Sequence, residues 1–209
     1  MSRPTRKIPI RDEFLIVTNG KRSEKNYFEV LRSKIKSIYK IKVQFINGDP
    51  TEVVSVAVKA KTESNRVWCV FDKDEFSDNS IYHAMAIARK NHVGVAFSNV
   101  AFEVWLVEHF CCFDSEKSAT ELIACLNELM KKAGYNCNYS KTDIQQVEEI
   151  FIPRLSEAVE NADRAYQKRM AHFKQSSSFD SEAAPVCSWN SYTDVHKLIR
   201  ALKVDRKSN

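Results

Sequence analysis

The sequence of 209 residues lacks any long apolar run. No stretch approaches the roughly 18 uninterrupted apolar residues that a membrane-spanning helix needs. The basic N-terminus also lacks the apolar stretch of a secretory signal. We therefore expect no membrane association and a cytoplasmic location.

Cysteines paired at metal-ligand spacing are lacking too. The chain has six cysteines: Cys69, Cys111, Cys112, Cys125, Cys137 and Cys187. Without paired spacing they are expected to be reduced thiols. His109 with Cys111 and Cys112 could begin a zinc site, but no second cluster supplies the remaining ligands, so we favour no zinc.

Acidic residues are absent from residues 1–11, which carry the basic residues Arg3, Arg6, Lys7 and Arg11. The net charge of the chain is +5, so these four charges leave the rest of the chain at only +1. We predict that residues 1–13 are a basic tail that contacts nucleic-acid phosphates. The alternative is a short solvated terminus.

The most informative stretch that is present runs from Val67 to Glu75. Residues 67–71 are apolar and rich in β-branched and aromatic types, which predicts a central strand buried on both faces. Asp72 and Asp74 follow, and in extended backbone their side chains project to the same side. Two carboxylates at a strand end suit Mg²⁺ or Mn²⁺. The alternative is an acidic turn that only solubilises a loop.

Strand patterns alternate with helix patterns four times over residues 14–110. The strands are predicted at 14–17, 42–46, 67–71 and 93–97, with helices after each. Ser23 is expected to cap the first helix, which continues to Ile38, and Asp49-Pro50-Thr51-Glu52 begins the second. Ser98-Asn99 is expected to begin the fourth. This order is typical of a parallel sheet covered by helices on both faces.

The second half of the chain is predicted to be helical, with no strand after Cys111. Ser118-Ala119-Thr120-Glu121 is a capping-box pattern. A segment near 143–151 and a long helix over 155–173 follow. Residues 174–191 are expected to be a loop, and Thr193 to cap a last helix.

Four motifs in register resemble the RloB family, which is linked to bacterial abortive phage infection. They are VTNGKRSEKNYF at 17–28, VWCVFDKD at 67–74, SNVAFEVWL at 98–106 and DVHKL at 194–198. The resemblance implies a Toprim-like domain over 14–110 and a helical C-terminal extension over 111–209. Toprim relatives include topoisomerases, bacterial primases and nucleases that act on phosphodiesters with Mg²⁺.

The resemblance also implies the site residues. Asp72 and Asp74 match the metal-binding Asp-x-Asp of the family, and Glu103 lies in its Phe-Glu-x-Trp motif as a metal ligand or catalytic group. Relatives usually carry a glutamate where this chain has Asn19, and an amide takes no proton at neutral pH. We therefore include Asn19, Glu24 and Glu103 as catalytic candidates, with the two glutamates as partial substitutes.

Several of these residues have a simpler interpretation. Glu103 lies in the first turn of a predicted helix, where the helix dipole stabilises a carboxylate even if the residue has no functional role. His109 lies on an apolar helical face, which favours a hydrogen-bonded core histidine. Lys21, Arg22 and Lys73 are assigned to nucleic-acid contacts, although Lys73 is also explained as a solvated lysine.

The sequence thus predicts an α/β/α sandwich with a four-stranded parallel sheet in the order 2-1-3-4, followed by a helical region that packs on it. Its predicted function is that of a Mg²⁺-dependent nuclease or nuclease-like effector of anti-phage defence. The alternative is a catalytically silent binding module that works with a partner ATPase, as the resemblance suggests.

Overall fold

A computed structural model of the chain describes residues 12–176 and 186–203. The predicted tail contacts Arg3, Arg6, Lys7 and Arg11 lie outside the described residues, as does part of the predicted loop 174–191. The strands of the described part are β1 (Glu13–Thr18), β2 (Lys40–Phe45), β3 (Asn65–Asp72), β4 (Gly94–Asn99) and β5 (Tyr192–Thr193).

These strands form one mixed sheet in the order β2-β1-β3-β4-β5. The first four are parallel, which confirms the predicted order 2-1-3-4. The prediction of no strand after Cys111 is wrong, because β5 pairs antiparallel with β4. Two residues are too few to show a periodic pattern in sequence. The Ser98 and Thr193 hydroxyl groups, 2.9 Å apart, link the pair.

Helices cover both faces of the sheet. The helices of the described part are α1 (Ser23–Lys34), α2 (Pro50–Ala60), α3 (Asp78–Lys90), α4 (Glu103–Glu108), α5 (Ala119–Lys132), α6 (Ile144–Gln146), α7 (Leu155–Ser176) and α8 (Val195–Ala201). A π-helical turn (Val147–Phe151) and a 3-10 turn (Ile152–Arg154) join α6 to α7, and another 3-10 turn (Val186–Ser188) precedes β5.

Side chains of a strand alternate between the two faces, and β1 shows this directly. Phe14 and Ile16 pack into a core with α1, α4, α5, α7 and α8. Leu15 and Val17 pack into a second core with α2 and α3. The parallel sheet is therefore buried on both faces, as its apolar strands predict.

Two predicted helix starts are confirmed in atomic detail. The Asp49 carboxylate accepts from the backbone N–H groups of Thr51 and Glu52, and Glu52 accepts from the Asp49 N–H, so both halves of a capping box are present. The same arrangement joins Ser118 and Glu121 at the start of α5. Local side chains thus determine where these helices begin.

Helices α1 and α4 differ from their predicted bounds. Helix α1 ends at Lys34 because Ile35 is extended, and Ile38, predicted to be on the helix, is 49% exposed. Ser23 is a helical residue and not the cap. Ser98 and Asn99 end β4 and do not begin a helix, since α4 starts at Glu103.

The helical region packs on the sheet, as predicted. Trp105 of α4, Leu122 of α5 and Phe151 are fully buried in the core that includes β1. This core crosses the predicted boundary between residues 110 and 111, and the division into two domains stays a prediction. None of the helices in the described part of the chain combines the length and apolar character needed to cross a membrane.

Candidate functional site

The candidate site lies at the carboxyl ends of β1, β3 and β4, where ligands of parallel sheets usually bind. Thr18 pairs with Val70, and Asp72 pairs with Ser98. This register brings the residues that follow β1 and the start of α4 to the end of β3. The chain segments that the sequence singled out therefore meet at one edge.

Asp72 is the last residue of β3, and its Oδ2 accepts from the backbone N–H of Phe102 at 3.3 Å. Asp74 differs from expectation, because the strand ends before it and its φ is +38°. A left-handed residue breaks the two-residue alternation on which the same-side prediction depended. Asp74 is exposed, but its charge is one cause of the raised pKa of Asp72.

Glu103 is the most enclosed acid of the site, at 2% exposure. Its Oε1 accepts from the Ser23 hydroxyl at 2.9 Å and from the Tyr139 hydroxyl at 3.0 Å. The ammonium group of Lys141 lies 3.2 Å from the same oxygen. Contacts from distant segments show that Glu103 does more than complement the dipole of α4.

Glu24, 5% exposed, lies over Gly20. A Cβ atom at Gly20 would stand 1.6 Å from Glu24 Oε2, so only glycine leaves room for this carboxyl group. The charges of Asp72 and Glu103 act on the pKa of Glu24, and we call these three acids the acidic cluster. The structure therefore brings Glu24, a predicted substitute for the missing family glutamate, to the predicted metal-binding aspartate.

Burial and mutual repulsion raise the pKa values of two acids in this cluster. Burial, followed by the charge of Asp72, raises the pKa of Glu24 from its usual 4.5 to about 8. Burial, followed by the charges of Asp74 and Glu103, raises the pKa of Asp72 to about 7. At neutral pH Glu24 is therefore mostly protonated, and Asp72 is about half ionised.

Sequence reasoning missed Tyr139 and Lys141, which lie between α5 and α6. The Tyr139 N–H donates to Asn127 Oδ1 at 2.7 Å, and the Lys141 carbonyl accepts from Asn26 Nδ2 at 3.3 Å. The family motifs do not include this segment, and it has no periodic pattern. The sequence gives one indication of this segment: polar and aromatic residues follow Gly134 in a predicted loop, and loops often carry functional residues.

Asn19 lies directly after β1, at the position where the family resemblance predicts a glutamate. Its Oδ1 is buried and accepts no hydrogen bond within the described part of the protein. A buried acceptor without a partner is uncommon and is typically satisfied by water or an ion. This oxygen is therefore a further polar atom available to a ligand at the strand ends.

The predicted phosphate contacts differ in their surroundings. Lys21 and Arg22 are exposed in the turn between β1 and α1, beside the site. Lys73 instead points to the opposite side, where its Nζ donates to the Cys187 carbonyl at 2.9 Å and pairs with Asp78 at 2.8 Å. Its nucleic-acid role stays a prediction that these contacts do not favour.

His109 is a core residue. It is fully buried, its Nδ1 lies 2.9 Å from the Trp105 carbonyl and its Nε2 lies 3.1 Å from the Tyr27 hydroxyl. The carbonyl can only accept, so Nδ1 carries the proton and Nε2 accepts from Tyr27. Burial lowers its pKa to about 3. The structural interpretation of His109 is confirmed.

The donor set fits a hard divalent cation by its chemistry. Carboxylate and amide oxygens are the ligands that Mg²⁺ prefers, and its charge favours the ionised form of the acids around it. The geometry is less complete: within residues 12–176 and 186–203, no group of three His, Cys, Asp or Glu side chains is arranged to hold a metal ion. The same finding gives no support to zinc at His109.

Fold and site together define the class of protein, an α/β/α sandwich of the Toprim-like kind with acids at its strand ends. A family model described as RloB-like protein matches residues 14–202, so the chain belongs to the RloB family. No curated protein and no solved structure matches it.

Replacing Gly20 with alanine should displace the Glu24 carboxyl group, because the new Cβ would stand 1.6 Å from it. The expected loss in free energy of unfolding, measured by urea denaturation, is about 1–3 kcal/mol. The matched control is Gly20→Ala made in a Glu24→Ala background, which lacks the carboxyl group that the new Cβ would meet and should therefore lose much less. An equal loss in both backgrounds would contradict the enclosed position of Glu24.

Replacing Glu24 with glutamine should stabilise the protein at high pH. The pKa of Glu24 is raised from 4.5 to about 8, so the wild type loses stability as pH rises through this interval. Glutamine removes that loss, and the two proteins should differ little below about pH 4.5. Urea denaturation across this range tests the prediction, with Glu29→Gln on the same helix as control. A difference independent of pH would contradict it.

Proposed function

We propose that this protein is a Mg²⁺-dependent, Toprim-type nuclease or nuclease-like effector of bacterial anti-phage defence, which acts on nucleic-acid phosphodiesters in the cytoplasm. The observation that carries the proposal is the cluster of Glu24, Asp72 and Glu103 at the strand ends, with Asp74 beside it. Membership of the RloB family supports the defence role.

Asp72 and Asp74 would hold Mg²⁺ or Mn²⁺, with Glu103 as a further ligand. A divalent ion bound there supplies polarisation of the phosphate and activation of water. Ser23 and Tyr139 fix the position of Glu103 through their hydroxyl groups. A fixed carboxylate keeps its orientation when a substrate enters, which reduces the cost of reorganisation.

Glu24 is the group best suited to move a proton. Its pKa of about 8 lies close to physiological pH, where a carboxyl group can both accept and return a proton. Asn19 cannot do this, since its amide does not titrate. In this proposal Glu24 thus substitutes only in part for the glutamate that relatives carry at the position of Asn19.

Positive charge around the site would attract the substrate backbone. Lys21 and Arg22 are exposed at the edge of the cluster. The tail residues Arg3, Arg6, Lys7 and Arg11 are proposed to extend this surface. Contacts between basic side chains and phosphates supply most of the affinity of sequence-independent binding.

Asn19 and the incomplete metal geometry favour a second candidate function. A Toprim-like module that lacks the usual glutamate, and whose described residues place no three ligands around one point, can serve as a silent binding or regulatory partner of an ATPase. Such a module would keep its acids for structure or recognition.

Incubating the purified protein with DNA and RNA, with Mg²⁺ or Mn²⁺, should produce cleavage that EDTA abolishes. The Asp72→Ala variant should lose this activity, because it removes the central oxygen ligand. Gel analysis of the products measures the outcome. Metal-independent cleavage, or cleavage unchanged in Asp72→Ala, would contradict the proposal. No cleavage, with or without a partner ATPase, would support the silent module.

Replacing Asn19 with glutamate should raise a weak cleavage rate, because it restores the titratable group of the family. General acid–base assistance contributes about 10²–10⁴-fold, and a part of that gain should be measurable. The gain should depend on pH and disappear when Asp72→Ala is added. No gain in a protein that binds metal and cleaves would show that Glu24 already fills the role.

A further inference from the structure

The segment that carries Lys141 is held in place by side chains of three helices. Asn127 of α5 accepts from the Tyr139 N–H, and Gln146 of α6 accepts from the Ser140 N–H at 2.9 Å. Asn26 of α1 donates to the Lys141 carbonyl. The backbone of Lys141 is therefore fixed at the edge of the acidic cluster, whereas most surface lysines are not fixed in this way.

The ammonium group of Lys141 has access both to the cluster and to solvent. Its Nζ lies 3.2 Å from Glu103 Oε1, and 46% of its side chain is exposed. Its positive charge also acts on Glu24 and Asp72, where it opposes the rise in pKa. Lys141 is thus a cation that acts on all three acids of the cluster.

Glu103 keeps hydrogen-bond donors when its ion pair with Lys141 is broken. Glu103 Oε1 keeps the hydroxyl donors of Ser23 and Tyr139 when Lys141 moves away, so no buried carboxylate is left without a partner. Because the lysine is half exposed, it can turn toward solvent, and an incoming anion can take the place of Glu103 as its partner.

We propose that Lys141 is a substrate-binding residue whose ammonium group contacts a nonbridging phosphate oxygen of the nucleic acid. This inference rests on the proposed function, because it assumes that a phosphodiester enters the cluster. The ionised acids of the cluster repel a phosphate, and a lysine on a flexible stem is the compact charge that can offset this repulsion. The helical region would thereby complete a site that the sheet alone leaves too acidic.

The test compares Lys141→Met with Lys141→Arg and with Lys132→Met, an exposed lysine at the end of α5. Binding of single-stranded DNA, single-stranded RNA and duplex DNA is measured against salt, without divalent ions, so that no substrate is cleaved. Lys141→Met should lower the salt slope by about 0.7 for single strands and 0.9 for the duplex. Lys141→Arg and Lys132→Met should retain the wild-type slope.

A second measurement separates substrate binding from a structural role. The Lys141→Met variant should bind Mg²⁺ roughly threefold to tenfold more tightly than the wild type, because a positive charge next to the acids has been removed. Titration of Mg²⁺ into both proteins measures this difference. If Lys141 only positioned Glu103, its loss would weaken metal binding instead, and that result would overturn the inference. Thermal melting checks that each variant is folded.

Other results of these experiments separate the role of Lys141 from the proposed nuclease activity. A wild-type slope in Lys141→Met, or no binding of any oligonucleotide by the wild type, overturns the role of Lys141. Binding without cleavage by the wild type contradicts the proposed nuclease, yet a slope lowered in Lys141→Met then still supports Lys141 as a phosphate contact. The two failures can therefore be distinguished.

Discussion

Withdrawal from water of carboxyl groups that also repel one another is the constraint on which this structure depends. Glu24, Asp72 and Glu103 come from three separate segments; the two glutamates are buried, and Asp72 is half-buried. Such an arrangement costs stability unless donors or cations compensate for it. Ser23, Tyr139 and Lys141 compensate Glu103, and raised pKa values offset part of the repulsion at the other two acids. Clusters of acids with strongly shifted pKa values occur most often at functional sites.

The same constraint explains why the helical region belongs to the site and not only to the core. The donors at Tyr139 and Lys141 follow α5, whose apolar face packs on α4 within the core shared with β1. Packing of α5 thus determines where these polar groups reach Glu103. Strand β5 adds a second link, because it extends the sheet next to β4. Sheet and helical region therefore share one core and meet at Glu103.

Features determined by local sequence could be predicted, and those determined by distant contacts could not. The capping box at Asp49 is local, and the order of the strands follows from alternation and family resemblance. The end of α1 and the exposure of Ile38 depend on tertiary packing, and β5 is too short to leave a pattern. Asp72 could be proposed as a site residue because it ends an apolar run. Lys141 was missed because only folding brings it to Glu103.

The central claim is that the acids at the strand ends are a cation site. Electron paramagnetic resonance of Mn²⁺ titrated into the protein measures free and bound ion directly, without requiring activity. The account predicts saturable binding of Mn²⁺ by the wild type, competition by Mg²⁺, and loss of binding in Asp72→Ala. Absence of saturable binding, or equal binding in wild type and Asp72→Ala, would contradict it.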